Sequence, residues 1–206
     1  MNAREVMHSS SHHDWCTPSY FIDLVREVGP VRYDPATSEG NPVDATHFST
    51  PRGSHHERGE YVGVCGLSVD WKWMSSGGLL FCNPRYGRHL TGDVNPHAEV
   101  RFKKRVVGTG RGWALKMAHF YGEAIYLVPA RTETKWWHSL LATSDASLLW
   151  SSPTLGSRVH FELPDGTKPK GGAAFPSSVF YRGPNVERFR EVFGPHGELI
   201  QRAEAA

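Results

Sequence analysis

The sequence predicts a three-layer α/β fold with a mostly parallel sheet, and two observations support this prediction. Residues 79–82 and 124–128 are continuous apolar runs, which are typical of central parallel strands covered on both faces. Segments with apolar residues at helical spacing alternate with these runs and with further strand candidates along the chain. Such alternation favours helices on both faces of one sheet, and folds of this class bind ligands beyond the carboxyl ends of the strands.

The first predicted elements are a helix and a short strand. Thr17 and Pro18 predict the helix start, because a hydroxyl caps the first turn and a proline at the first helical position needs no N–H. Apolar residues then recur at helical spacing until Gly29-Pro30 ends the run. Residues 31–33 predict a strand, and residues 37–60 predict a loop with short ordered pieces at most.

The second half of the chain predicts a regular succession of elements. After the strand over 79–82 come a helix over 113–119, a strand over 124–128, a helix over 132–141, strands over 148–150, 158–163 and 179–182 with a turn at 164–166, and a helix over 185–193. These elements fit one domain over residues 14–193. We expect a flexible N-terminus over residues 1–13 and a C-terminal tail over residues 194–206.

Composition and charge exclude several classes of protein. The chain has 206 residues, 39% of them hydrophobic, so it can bury a core without disulfides or a structural metal. No apolar run approaches the roughly 20 residues of a membrane span, and the first residues lack the apolar segment of a signal peptide. Three cysteines, Cys16, Cys65 and Cys82, are too few for a disulfide framework and predict a cytoplasmic protein. The net charge of +2 taken alone argues against a nucleic-acid partner.

The segment after the strand over 79–82 is the most informative: it reads Asn83-Pro84-Arg85-Tyr86. The Asn83 side-chain oxygen and the Pro84 carbonyl can both accept hydrogen bonds from one exocyclic amino group. The lone pair of such an amine is delocalised into its ring, and two acceptors favour the pyramidal geometry that frees it. Tyr86 can stack on a nucleobase, which must first be flipped out of a duplex. The segment therefore predicts chemistry on the amino group of an extrahelical base.

In its context, this segment resembles the phage-type DNA N6-adenine methyltransferases. Residues 81–87 are similar to the (Asp/Asn/Ser)-Pro-Pro-(Tyr/Phe) motif of amino-directed DNA methyltransferases, with Arg85 in place of the second proline. Further blocks follow the family's order: Trp15-Cys16-Thr17-Pro18, Asp34-Pro35-Ala36-Thr37-Ser38, Gly66-Leu67 with Asp70-Trp71, residues 126–132 with 135–138, and residues 158–161 and 174–178. The resemblance covers about residues 14–183, and the ordered series is more specific than any single block.

The resemblance implies a Rossmann-like methyltransferase fold with S-adenosylmethionine (SAM) as methyl donor, no metal, and direct transfer to adenine N6 in DNA. It implies catalytic roles for Asn83, Pro84 and Tyr86. It also implies that seven residues frame the cofactor: Trp15, Thr17, Pro18, Asp34, Pro35, Ala36 and Asp70, the last with a structural contact as its alternative. Such a protein derives from a phage or prophage and works in the cytoplasm of a bacterial host. A monomer is the default expectation, and the sequence leaves the oligomeric state open.

Basic residues cluster directly after the proposed catalytic segment. Between residues 85 and 116 there are eight Lys or Arg and two acidic residues, a local charge of +6 that the whole-chain value conceals. We expect a basic insertion at about residues 88–112 that binds DNA phosphates, with a solvated surface loop as the alternative. The residues predicted to contact DNA are Arg85, Arg88, Lys103, Lys104, Arg105 and Arg111.

Several alternatives stay open at this point. Cytosine N4 is the second candidate target, because the same two acceptors fit either amine. Arg85, together with Cys65 where the family has an acidic residue, motivates a catalytically inactive DNA-binding relative. A zinc-dependent module is a distant third: His12-His13 and His55-His56 lack ligand spacing and are interpreted as solvated loops. Cys82 precedes Asn-Pro, so we expect a small buried strand residue there rather than a nucleophile.

Overall fold

Ten strands and five helices lie in the part of the chain that the computed structural model describes, namely residues 16–38, 40–50, 53–56, 66–67, 69–84, 100–102, 105–107, 109–162 and 175–200. In chain order they are α1 (Ser19–Val28), β1 (Val31–Asp34), β2 (His47–Thr50), β3 (Gly53–His56), α2 (Trp71–Ser75), β4 (Leu79–Cys82), β5 (Val100–Phe102), β6 (Arg105–Val107), α3 (Thr109–His119), β7 (Ala124–Pro129), α4 (Lys135–Thr143), β8 (Ala146–Trp150), β9 (Ser177–Arg182), α5 (Val186–Phe193) and β10 (Gly197–Leu199). A 3-10 turn over Gly194–His196 joins α5 to β10.

Eight of these strands form one sheet in the order β10-β8-β9-β7-β4-β1-β2-β3. The pairs β1–β2, β1–β4 and β4–β7 are parallel, whereas β3, β9, β8 and β10 join with antiparallel pairing. The predicted mostly parallel sheet is therefore wrong in its proportions, since the sheet is mixed, with a parallel centre and antiparallel flanks. A parallel connection needs a crossover, usually a helix, and the described residues between β8 and β9 contain none.

Helices cover both faces of the sheet, as the sequence predicted. One core lies between the sheet and α1 and α5, and it includes Leu79 and Phe81 of β4. The other lies between the sheet and α2, α3 and α4, and it includes Leu80 and Cys82 of the same strand. Successive side chains of a strand point to opposite faces, so all four residues of β4 are buried. Full burial of each large apolar side chain contributes about 1.5–3 kcal/mol.

Most predicted elements are confirmed, with small shifts of their ends. The strands over 31–33, 79–82, 124–128, 148–150 and 179–182 correspond to β1, β4, β7, β8 and β9, and the helices over 113–119, 132–141 and 185–193 correspond to α3, α4 and α5. The antiparallel pair β5–β6 and the start of α3 fall within the basic insertion expected at 88–112. Residues 1–13 and the turn predicted at 164–166 lie outside the described residues.

Three predictions about the periphery of the fold are wrong. The short ordered pieces expected within residues 37–60 are two strands, β2, which pairs with β1, and β3; His55-His56 lie in β3, so their interpretation as a solvated loop is wrong. Residues 158–162 are not a strand, apart from an isolated bridge between Cys16 and Glu162. The expected tail contributes β10, which pairs with β8. No helix in the described ranges combines the length and apolarity that crossing a bilayer requires.

Candidate functional site

The strand order reverses between β1 and β4. After β1 the chain adds β2 on one side, and it then returns to add β4 and β7 on the other side. In α/β sheets, ligands bind in the crevice at the carboxyl ends of the strands where such a reversal occurs. The segments that leave these two carboxyl ends begin at Asp34-Pro35 and Asn83-Pro84. The topology therefore brings together two segments that the sequence singled out separately.

Asn83 is joined directly to the start of the first helix. Its Nδ2 donates to Thr17 Oγ1 at 3.0 Å, across 66 positions of sequence. Thr17 is therefore not the predicted helix cap: Pro18 holds the N-cap position of α1, and no side chain caps the helix. The threonine hydroxyl is used by a long-range partner instead. With Nδ2 engaged, the remaining polar atom of the Asn83 amide is Oδ1, a hydrogen-bond acceptor.

Asp34 supplies a buried carboxyl group at the same reversal. It is 4% exposed, and its Oδ1 accepts from the Ala36 N–H at 2.9 Å, which closes a tight turn around Pro35. A side-chain hydrogen bond with Thr37 adds a second contact. Burial raises the pKa of Asp34 to about 7, although both hydrogen bonds act in the opposite direction. The carboxyl group therefore changes charge near neutral pH, where a neighbouring cation would favour its ionised form.

The raised pKa of Asp34 predicts a pH dependence of stability. Between about pH 4 and about pH 7, the Asp34 carboxyl group is protonated in the folded state and ionised in the unfolded state. The stability that Asp34 contributes therefore falls as the pH rises through this window, by up to about 1.4 kcal/mol per pH unit. Urea unfolding of the wild type and of Asp34→Asn should show the wild type losing stability relative to the variant. A difference that does not change with pH would contradict this prediction.

A lysine on α3 fixes the turn that lies against the β1 end. Lys116 Nζ donates to the carbonyls of Gly66 at 3.3 Å, Leu67 at 2.8 Å and Val69, and it lies 5.0 Å from the ring centroid of Trp71. The sequence counted Lys116 in the local charge of +6 without giving it a contact, and its ammonium group binds backbone carbonyls. Local composition could not reveal this role, since the contacts span almost 50 positions.

The turn held by Lys116 fits closely against Pro35. A Cβ built on Gly66 would lie 1.9 Å from the Pro35 carbonyl oxygen, so only glycine permits this approach. The indole Nε1 of Trp71 also donates to the Gly66 carbonyl, at 2.7 Å. Lys116 and Trp71 therefore fix the position of Gly66, and Gly66 in turn packs against the turn at Asp34-Pro35.

Asp70 has a structural contact, which is one of the two roles that the sequence left open. It is the N-cap of α2, and its Oδ1 accepts from the backbone N–H groups of Lys72 at 2.9 Å and Trp73 at 3.3 Å. Cys82 is fully buried, as predicted. Among the described residues there is no group of three or more His, Cys, Asp or Glu that could hold a metal.

Beside Asn83 lies a small depression of about 10 Å³, which is roughly the space that one water molecule needs. Its exposed lining is wholly apolar and comes from six residues: Asn83, Leu127, Val128, Pro129, Phe161 and Phe175. Phe161 and Phe175 lie in two segments that carry the family resemblance, which implies no role for either residue. Their place beside Asn83 depends on the tertiary fold, because the three residues come from separate parts of the chain.

Several predicted site residues lie outside the described residues: Trp15, Arg85, Tyr86, Arg88, Lys103 and Lys104. Arg105 falls in β6 and Arg111 in the first turn of α3, and the structure describes only the backbone of these two residues. The cofactor, base-stacking and DNA roles of these residues stay predictions. Comparisons with protein-family models, with curated proteins and with solved structures each found no match.

Proposed function

We propose that this protein is a SAM-dependent DNA methyltransferase with a Rossmann-like fold that transfers a methyl group to adenine N6. One observation carries the proposal: Asn83-Pro84 follows a fully buried strand at the reversal of the sheet, and Thr17 orients the Asn83 amide. An Asn-Pro turn at this place can offer a side-chain oxygen and a proline carbonyl to one ligand. This pair suits an exocyclic amine with two hydrogens to donate.

The residues at the β1 end suit the cofactor that the resemblance implies. SAM carries an ammonium group and a sulfonium, and a buried carboxyl with a pKa of about 7 gains from a cation nearby. Asp34, Pro35 and Ala36 would hold its methionine part, with Thr17 and Pro18 across the crevice. When bound, SAM would supply the electrophilic methyl group. The residues of the chain would hold the amino group of the base in position for the transfer.

The catalytic contribution of the protein is positioning and electrostatics. Asn83 Oδ1 and the Pro84 carbonyl would accept the two N6 hydrogens, and positive charge that develops on the nitrogen is stabilised by both oxygens. The buried β4 and the hydrogen bond to Thr17 hold these acceptors in place, so little reorganisation is needed. The base reaches them only after leaving the duplex.

The decisive experiment is incubation of the protein with SAM and unmethylated DNA, followed by digestion to nucleosides and mass spectrometry. We expect N6-methyldeoxyadenosine, and none in a control without SAM. N4-methyldeoxycytidine instead would favour the cytosine alternative. DNA binding without SAM binding and without any methylated nucleoside would favour the inactive relative, for which Arg85 in place of the second proline is the specific observation. Whether adenine or cytosine is methylated, DNA binding should weaken steeply as the salt concentration rises.

A further inference from the structure

The start of α1 and the irregular segment over residues 160–162 are joined by hydrogen bonds at two places. At the first, the Cys16 N–H donates to the Glu162 carbonyl at 2.7 Å, and the Glu162 N–H donates back to the Cys16 carbonyl at 3.0 Å. At the second, one helical turn further along, the His160 N–H donates to the Tyr20 hydroxyl at 2.9 Å. Two separate contacts fix both the position and the direction of residues 160–162 relative to α1.

Thr17, whose hydroxyl accepts from Asn83 Nδ2 at 3.0 Å, lies between these two contacts. On one side, its neighbour Cys16 is held by the isolated bridge to Glu162. On the other side, the Pro18 carbonyl accepts from two N–H groups in the first turn of α1, at 3.0 and 3.1 Å. The backbone of Thr17 is therefore held from both sides, and its hydroxyl is held at the Asn83 amide.

The position of Thr17 decides which atom of the Asn83 amide is left for a ligand. A threonine hydroxyl can donate or accept, and an asparagine amide has both a donor and an acceptor, so either orientation of the amide can pair with Thr17. The observed pairing uses Nδ2 and leaves Oδ1 for the ligand. A displaced hydroxyl can rotate and donate to Oδ1 instead. That pairing would present an N–H group where the proposed reaction needs an acceptor.

We propose that Tyr20 is a positioning residue for methyl transfer: its hydroxyl holds residues 160–162 against α1 and, through Cys16 and Thr17, keeps Asn83 Oδ1 directed at the substrate. This inference rests on the proposed function and adds to it a residue outside the predicted site. The described part of segment 158–162 pairs with Cys16 through one bridge rather than through a ladder, so the contact with Tyr20 is the second point that orients it. Support of this kind for a reacting side chain is what a preorganised site requires.

The surroundings of Tyr20 allow its hydroxyl to be removed without disturbing its ring. The ring is half-buried and lies tilted against Trp150, with 6.2 Å between the ring centroids. Burial raises the pKa of Tyr20, although the hydrogen bond from His160 acts in the opposite direction, so the hydroxyl keeps its proton at neutral pH. Tyr20→Phe therefore removes one hydrogen-bond partner of His160 while the charge and the packing of the ring stay the same.

We expect Tyr20→Phe to lower kcat roughly 5- to 100-fold at saturating SAM, with an unchanged KM for DNA, because displacement of a reacting group slows the step without weakening substrate binding. Tyr181→Phe is the matched control. It removes a hydroxyl that donates to Glu123 Oε1 at 2.7 Å and accepts from the Asn185 N–H at 2.8 Å, and Tyr181 pairs with Ile125 near the amino end of β7, at the other edge of the sheet. The control should lower the melting temperature and leave kcat unchanged.

A double variant tests whether Tyr20 acts through Thr17. Thr17→Val keeps the shape of the side chain and removes the oxygen that accepts from Asn83. Once that contact is gone, the hydroxyl of Tyr20 has nothing left to position, so Thr17→Val with Tyr20→Phe should be no slower than Thr17→Val alone. Two losses in kcat that multiply in the double variant would overturn the proposed route.

An arm without catalysis separates this inference from the proposed function. The Nδ2 protons of Asn83 give NMR signals that are identified by their loss in Asn83→Ala. We expect Tyr20→Phe to move these signals in the direction in which Thr17→Val moves them, and to speed hydrogen exchange at the Cys16 N–H. These changes in a protein that methylates no DNA would support the positioning of Asn83 and overturn the proposed function. If the wild type methylates DNA, an unchanged kcat or unchanged Asn83 signals in Tyr20→Phe would overturn the role of Tyr20 and leave the methyltransferase standing.

Discussion

Asn83→Ala is expected to abolish methyl transfer to DNA while SAM still binds. The change removes the side-chain oxygen that accepts from the amine, and it leaves the Pro84 carbonyl as the single acceptor. Removal of one preorganised group of this kind lowers kcat by a factor on the order of 10²–10³, and the loss of orientation lowers it further. Methyl transfer from labelled SAM measures the rate, and calorimetry measures the Kd for SAM. We expect the loss in kcat rather than in SAM affinity.

The matched control is Asn83→Asp, which keeps an acceptor oxygen at the same position. The Thr17 hydroxyl, which accepts from Asn83 Nδ2 at 3.0 Å, can donate to an aspartate oxygen instead. An acidic residue also occurs at this position in the motif that the segment resembles. We therefore expect Asn83→Asp to methylate DNA measurably. Near-wild-type methylation by Asn83→Ala would show that the two-acceptor mechanism is wrong.

The sequence could predict β4 and the site that follows it because both signals are local. Four consecutive apolar residues mark a strand that is buried on both faces, and the Asn-Pro turn follows directly. The same reasoning located β7, whose six residues are all buried. A strand that is buried on both faces is apolar at every position, so its composition alone indicates that it is buried.

The edges of the sheet were harder to predict because long-range pairing creates them. β2 is short and half-polar, and it is a strand because Tyr33 and His47 align in the β1–β2 pair. β10 is a strand because it pairs with the edge of β8, at Leu148 and Leu149. Nothing in the local composition of either segment signals a partner that is distant in sequence.

Residues 158–162 show how burial can imitate a strand. Val159 is fully buried, Phe161 packs in part against the same core, and Arg158 is exposed. Apolar residues at alternate positions are also typical of a strand. The backbone, however, is held by an isolated bridge to Cys16 and by one hydrogen bond to the Tyr20 hydroxyl rather than by a ladder.

Lys116→Met is expected to lower the free energy of unfolding by roughly 2–4 kcal/mol. Methionine keeps the length of the side chain but cannot donate, so the carbonyls of Gly66, Leu67 and Val69 lose a charged donor. Gly66 and Leu67 are themselves buried, and unpaired carbonyls there are costly. Urea unfolding measures the change, and the melting temperature should fall by about 2–4 °C per kcal/mol.

We expect Lys116→Met to disturb the proposed cofactor site as well, because Gly66 packs against the Pro35 carbonyl beside Asp34. We expect Lys116→Met to weaken SAM binding even under conditions in which the variant is fully folded. Lys116→Arg is expected to be intermediate, since a planar guanidinium cannot converge on the three carbonyls as an ammonium does. Lys135→Met, an exposed lysine on α4, is the matched control and should change stability by no more than about 0.5 kcal/mol. If Lys116→Met were as stable as that control and lost affinity for DNA instead, the structural role of Lys116 would be wrong and a contact with DNA would be favoured.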